Sequence, residues 1–364
     1  MVIDYKYIDS KIGFIKLIKE LEKEKIIAID LECENNLYHY GVYLSLIQIS
    51  TSKGNYIIDC IKLTDLSLLS KILLNKDILK IFHDVSFDLR ILNFKLNINT
   101  VNFFDTEICA FFLGEEKVNL NSLLEKYFNV SKECKFQKAD WTRRPIKKEM
   151  LNYAIKDSYY LIDMYKIFKK KLIELNRFDW VVEEIKDIEK KHLCYEIPTF
   201  FSLRGLKKLS ERELYVFKKM FDLREKLAEK VDRPVYFVIS TKRLMELVLN
   251  PLESFKDWKE VNRVHLIFKK YLSDFYKISK IEDYKIIKFP EKEKKDVIKT
   301  NNTALFDKLN NLRKVFSESI SIPMHYLLSK EQINYICAKK SLYCLKSWQK
   351  EILEKDINLL LNIK

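Results

Sequence analysis

Three groups of residues in this chain could carry acid–base or metal chemistry. The first is Asp30 and Glu32, which close the run Ile26 to Glu32 (IIAIDLE). A short apolar run of this kind reads as a buried strand, and residues two apart on a strand share a face. Asp30 and Glu32 then stand one pleat apart, and two such carboxylates repel unless a cation lies between them. A strand that simply emerges into solvent would carry the same pair. The second group lies in His83 to Asp88 (HDVSFD), where a strand gives way to a helix. Asp84 or Asp88 could project over the sheet end, where open α/β folds bind ligands. Asp84 also suits a helix N-cap, which leaves Asp88 as the better residue for chemistry. The third group is Tyr153 and Asp157. Their spacing of four puts phenol and carboxylate on one helical face, an arrangement that also suits a surface hydrogen bond.

The surrounding pattern says what positions these groups. Residues 9–24 read as an amphipathic helix, 43–50 and 55–60 as strands, and 65–75 as a helix. Residues 79–83 read as a further strand, with a helix beginning at 86–94. A short strand at 101–104 precedes Asp105, which suits the N-cap of a helix through Phe112. Residues 119–128 and 147–175 read as helical. Three hairpin-compatible strands followed by alternating helix and strand is the order of a mixed α/β sheet with flanking helices. Residues 181–210 read as a charged connector marked by Pro198 and Gly205.

The rest of the chain contains an internal repeat. Residues 223–251 align without a gap on 312–340, so that Leu223/Leu312, Arg224/Arg313, Pro234/Pro323 and Ser240/Ser329 coincide. Each copy reads as a helix, a turn holding Pro, an apolar stretch, a Ser cap and a second helix. The lysine-rich stretch 280–300 between them reads as a linker. This divides the chain into residues 1–195, 211–280 and 301–364.

Charge follows the same division. The net charge is +14, of which residues 1–180 carry +3 and residues 181–364 carry +11. A basic half beside a near-neutral half points to a polyanionic partner, although a solvated lysine-rich surface would look the same. The seven cysteines contain no CxxC pair, and with the five histidines they offer no zinc spacing. They read as reduced thiols in a cytoplasmic protein, which is expected to be a monomer. No apolar run approaches the ~18 residues of a membrane span.

Asp30-Leu-Glu32, Asp88 within FHDVSFDLRIL, and Tyr153-x-x-x-Asp157 resemble the three motifs of the DEDD exonuclease superfamily, in its tyrosine-bearing branch. The text between them (FFDTEICAFFLG, LNSLLEKYFNV and KADWTRRPIKKEMLNYAIKD) resembles ribonuclease D and its relative, the distributive nuclease of the eukaryotic exosome. Within it, Asp140, Trp141, Arg144 and Pro145 form a distinctive DW-x-x-RP run. Leu31 stands where bacterial members usually have Thr, and the exosome-type relatives carry Leu there. The two repeat copies resemble the HRDC domain, a small helical module.

The resemblance implies a ribonuclease H-like α/β exonuclease domain followed by two all-α HRDC domains. It also implies two divalent cations, Mg²⁺ or Mn²⁺, since a set of oxygen-only ligands favours these over zinc. Asp30 would bridge the two ions, Glu32 and Asp157 would hold the one that activates water, and Asp88 would serve the one near the leaving 3′ oxygen. Tyr153 would hydrogen-bond the attacking water, since a phenol with a pKa of about 10 orients more readily than it deprotonates. The implied reaction is 3′–5′ hydrolysis of RNA to nucleoside 5′-monophosphates, in the processing of tRNA precursors and other structured RNA 3′ ends. The alternatives are a 3′–5′ DNA exonuclease of the Werner type and a non-catalytic RNA-binding protein. Decay to the latter should have removed at least one of the five residues, and all five are present.

Lys135, Lys138, Arg143 and Arg144 surround Trp141, and cations beside an aromatic suit a single-stranded backbone with a stacked base. Trp141 in the core with solvated cations is the competing arrangement. Phe87 either lines the site or packs beneath it. The C-terminal half is expected to hold RNA through its charge. A fragment ending near Lys191 is expected to keep turnover of short RNA, because every proposed ligand precedes residue 160.

Overall fold

The computed structural model describes residues 3–131, 134–291 and 302–361. The central element is the strand β2 (Ile26–Asn35), in a six-stranded mixed sheet. With β1 (Lys6–Ile8), β3 (Val42–Ser50), β4 (Asn55–Asp59), β5 (Leu79–Phe82) and β6 (Phe103–Asp105), the order is β1-β4-β3-β2-β5-β6. β2 pairs antiparallel with β3 and parallel with β5, so it lies inside the sheet. Cover on both faces explains why its first half reads as a continuous apolar run rather than an alternation. The three-residue edge strand β1, parallel to β4, is too short to show a period and escaped the sequence reading.

Among the described residues, eight helices pack around this sheet: α1 (Lys11–Leu21), α2 (Ser70–Leu73), α3 (Val85–Leu96), α4 (Thr106–Phe112), α5 (Leu120–Phe128), α6 (Lys148–Tyr159), α7 (Leu161–Glu174) and α8 (Phe178–Lys190). Residues 147–175 are thus two helices that meet at Tyr160. α8 corrects the reading of 181–210 as a connector. Its apolar stripe is narrow, and Val181 and Ile185 join the core of the sheet. α6 lies against β2, β3 and β4, and the buried hydroxyls of Ser158 and Ser50 meet at 2.8 Å to fix it on β3.

The C-terminal half is helical, and both repeat copies adopt one order. In the first, helix Glu211–Lys230 is followed by Pro234, a short turn of helix and the Ser240-capped helix Thr241–Leu249. In the second, helix Thr303–Ile320 is followed by Pro323, a short turn and the Ser329-capped helix Lys330–Lys339. Arg224 and Arg313 are both buried. Their guanidiniums reach forward, to Thr241 Oγ1 and to the Leu328 carbonyl, each at 2.8 Å. Of the lysine-rich stretch expected as a linker at 280–300, residues 280–291 are neither helix nor strand, and 292–300 lie outside the described residues. Among those described, no helix is long and apolar enough to cross a membrane.

The two copies attach to the sheet domain differently. The first has its own hydrophobic core and meets the β2–β3 loop through polar groups. His39 Nδ1 lies 2.6 Å from Asp232, Tyr40 OH donates to Glu225 at 3.2 Å, and Tyr236 OH donates to the Leu37 carbonyl at 2.8 Å. The second contributes Ile322, Leu327 and Trp348 to the core of the sheet domain itself. Trp348 stacks on Trp180 at 5.4 Å and meets Phe112 edge-on at 5.2 Å, and its Nε1–H donates to Glu184 at 3.0 Å. Gly114, at φ +77°, lies so close to Ser321 that a Cβ there would stand 2.8 Å from the Ser321 Cβ. The tail of the chain is therefore built into the exonuclease-like half, which argues against a self-sufficient fragment ending near Lys191.

Candidate active site

β2 carries Asp30 and Glu32 on one face, and α6 brings Asp157 to them. One ligand oxygen from each of the three lies within 4.8 Å of the others. A register shift between Glu32 and Cys33 ends the regular pairing with β3 directly after the second carboxylate. Such bulges re-aim side chains at the ends of strands. Opposite Asp30 in the ladder stands Gln48, fully buried. With its amide nitrogen turned toward Asp30, Gln48 donates to Asp30 Oδ2 at 3.3 Å. The only sequence signal for this partner was a polar residue at an inward position of an apolar strand.

Asp88 is the fourth carboxylate, buried in the first turn of α3. Burial raises its carboxyl well above the usual range, and the negative charges of Asp30, Asp84, Asp105 and Asp157 add to this. Asp88 is thus in the field of the three-carboxylate cluster. The Cys33 thiol is likewise pushed up, by burial and then by Asp88, Glu32 and Asp30. Concentrated negative charge with oxygen-only donors is the environment a hard divalent cation satisfies.

What holds α3 in place is Asp105. It caps α4 as expected, accepting from the Glu107 N–H at 2.8 Å. Its two oxygens also accept from the N–H groups of Asp84 and Val85, each at 3.0 Å, so one buried carboxylate closes the starts of two helices. Burial raises Asp105 to about 6 despite these three donors. Asp84 sits in the left-handed region at φ 56°, its side chain exposed and not capping the helix. His83 is half-buried beside it; desolvation of the ring lowers its pKa to about 4, and Nδ1 lies 2.9 Å from Thr106 Oγ1.

Tyr153 and Asp157 share the buried face of α6. The Tyr153 ring packs edge-on to Phe136 at 5.6 Å and beside Trp141 at 6.2 Å. Trp141 is only 1% exposed, so it offers no face to a nucleic-acid base, and the stacking role expected for it is corrected to packing behind Tyr153. Arg144 is corrected likewise. Its guanidinium grips the Asp59 carboxylate through Nε at 2.7 Å and Nη2 at 2.6 Å, and donates to the Trp141 and Ser45 carbonyls. Burial acts to raise the Asp59 carboxyl, but hydrogen bonds from Arg144, Tyr7 and the Lys62 N–H outweigh it and hold it below the usual range. Lys135, Lys138 and Arg143 are exposed, and Arg143 Nε lies 3.1 Å from Asp140.

Arg144→Lys keeps the charge but loses the planar fork, so a thermal or urea melt should show a loss of about 1–3 kcal/mol. An unchanged melt with weakened RNA binding would return Arg144 to the nucleic-acid surface.

Residues 5–173 match the family described as "3'-5' exonuclease". The chain is 30% identical to the exosome complex exonuclease RRP6 of Saccharomyces cerevisiae over 66% of its length and 35% of the yeast protein. It is 24% identical to ribonuclease D of Bartonella henselae, over 85% of this chain and 78% of that one. It therefore spans about a quarter to a third of the exosome-type relatives it matches. Among solved structures, the catalytic core of RRP6 from Trypanosoma brucei superposes with a TM-score of 0.68 at 26% identity, over 76% of this chain and 79% of that one. Escherichia coli RNase D shares the fold over 99% of both chains, with a TM-score of 0.69 at 19% identity. Residues 5–173 are a DEDD 3′–5′ exonuclease domain, in a chain homologous to bacterial ribonuclease D and the Rrp6-type exoribonucleases.

Proposed function

We propose that this chain is a 3′–5′ exoribonuclease that trims the 3′ ends of stable RNA, tRNA precursors among them, and releases nucleoside 5′-monophosphates. The observation that carries this reading is the convergence of Asp30, Glu32 and Asp157 within 4.8 Å, with Asp88 in their field. Asp30, Glu32, Asp88 and Asp157 would hold divalent cations, and their all-oxygen donor set fits Mg²⁺ or Mn²⁺. When bound, such ions offset the charge that builds on a phosphodiester under attack. The protein's own part is orientation. Tyr153, backed by Phe136 and Trp141, positions the attacking water; Gln48 fixes Asp30; and Asp105 fixes the helix that bears Asp88. The homology to ribonuclease D over most of both chains supports stable RNA as the substrate class, and the shared order of the two helical repeats supports assigning them to the HRDC type.

The test is an assay on 5′-labelled RNA and DNA of matched sequence with Mg²⁺ or Mn²⁺. RNA should shorten from its 3′ end, EDTA should stop it, and the small product should carry a 5′-phosphate. Internal cuts, or products bearing a 3′-phosphate, would sink the mechanism. Tyr153→Phe should lower single-turnover cleavage roughly 10²-fold, the scale of water positioning or proton transfer. A wild-type single-turnover rate in that variant would remove Tyr153 from the reaction.

A further inference from the structure

Beyond the carboxylates, α3 presents an outer face that the described residues leave partly open. Phe87 is 40% exposed and Phe94 38% exposed, with the exposed Arg90 between them. Spacings of three and four put these three on one side of the helix. The row starts at the residue before Asp88 and runs about 10 Å along the axis, roughly three stacked nucleotides at about 3.4 Å each.

The row continues onto neighbouring elements. The Phe94 ring lies 5.3 Å from that of Tyr195, whose hydroxyl donates to Asn35 at the end of β2. The Lys95 ammonium stands 5.1 Å from the Phe94 ring centroid and 5.9 Å from that of Tyr43. Tyr43 in turn reaches Asp232 of the first helical repeat, where its hydroxyl donates at 3.3 Å. Arg90 and Lys95 have no carboxylate partner among the described residues. Asp84, at the start of α3, is the acidic group flanking the row. Exposed aromatic faces alternating with unpaired cations suit a single-stranded backbone, with bases stacked on the rings and phosphates on the cations.

We propose that this face, formed by Phe87, Arg90, Phe94 and Lys95 with Tyr43 and Tyr195, is the track along which single-stranded RNA approaches the carboxylate cluster. It rests on the exoribonuclease reading and places the incoming strand between the sheet domain and the first helical repeat. It is built from other residues than Trp141 and its flanking cations.

The test uses the full chain and an unstructured RNA dodecamer. Binding is followed by fluorescence anisotropy in EDTA, so that it does not depend on turnover. Phe94→Ala should weaken binding roughly 5- to 150-fold, the range of one lost base stack. The double variant Arg90→Glu/Lys95→Glu should weaken it further and flatten the plot of log affinity against log salt by about 1.4, or about 0.7 per lost phosphate contact. Lys16→Glu and Lys170→Glu, on exposed positions elsewhere, control for net charge. In turnover, KM for the dodecamer should rise more than KM for a dinucleotide. Wild-type affinity and salt slope in the track variants would overturn the track, whatever the wild-type chain cleaves. A wild-type chain that cleaves nothing, while the variants still lose affinity, would keep the track and sink the nuclease reading.

Discussion

Asp30→Asn should reduce 3′-end shortening of RNA by about 10³-fold or more while the protein stays folded. The carboxylate belongs to a cluster whose members lie within 4.8 Å, and removing one takes away several kcal/mol of charge stabilisation at the reacting phosphate. Asn has nearly the same shape, and replacing one carboxylate relieves repulsion in the metal-free protein, so the melting temperature should hold or rise. Asp157→Asn should behave in the same way. Asp88→Asn should also lose turnover, whereas Asp84→Asn should not, because Asp84 is exposed and Asn tolerates its left-handed backbone. Single-turnover rates beside melting curves separate the cases. Equal losses for Asp84→Asn and Asp88→Asn would mean that the wrong residue of HDVSFD has been assigned to the cluster. Full activity in Asp30→Asn would place the chemistry elsewhere.

Trp348→Ala should destabilise the exonuclease domain by about 3–5 kcal/mol, although residue 348 lies far beyond that domain in sequence. The indole fills a buried slot between Trp180 and Phe112, and its N–H satisfies Glu184, which also holds Lys346 at 2.6 Å. The variant leaves a cavity next to a half-satisfied carboxylate, and both effects act in one direction. A fragment of residues 1–195 would lose Trp348, Tyr326 and Leu327 together and expose Phe111, Phe112 and Trp180. It should unfold or aggregate rather than survive as an active domain. Urea titration of the full-length variant, with circular dichroism of the fragment, measures both. A fragment that melts like the whole chain and still degrades short RNA would show that the second helical repeat is an appendage.

Much of the candidate site was legible because its signals are local. The period of a strand puts Asp30 and Glu32 on one face, and the period of a helix does the same for Tyr153 and Asp157. Asp105, Ser240 and Ser329 were readable as caps because a cap bonds only two or three residues ahead. The repeat was visible because both copies need the same Pro turn and Ser cap. Local sequence thus determined most of the elements around the site and which of their side chains share a face, while β1, which is short, and α8, whose apolar stripe is narrow, went unread.

Tertiary structure alone decided what lies against what. Arg144 and Trp141 look like surface residues in a run of cations, but Arg144 finds its carboxylate on β4, 85 residues earlier, and Trp141 fills space behind Tyr153. Gln48 and Asp105 gain their second roles only when β3 lies beside β2 and when β6 brings α4 to the start of α3. The second helical repeat became part of the exonuclease core because packing joins surfaces without regard to separation along the chain. Burial and long-range pairing depend on the sum of contacts across all elements, and no window of sequence contains that sum.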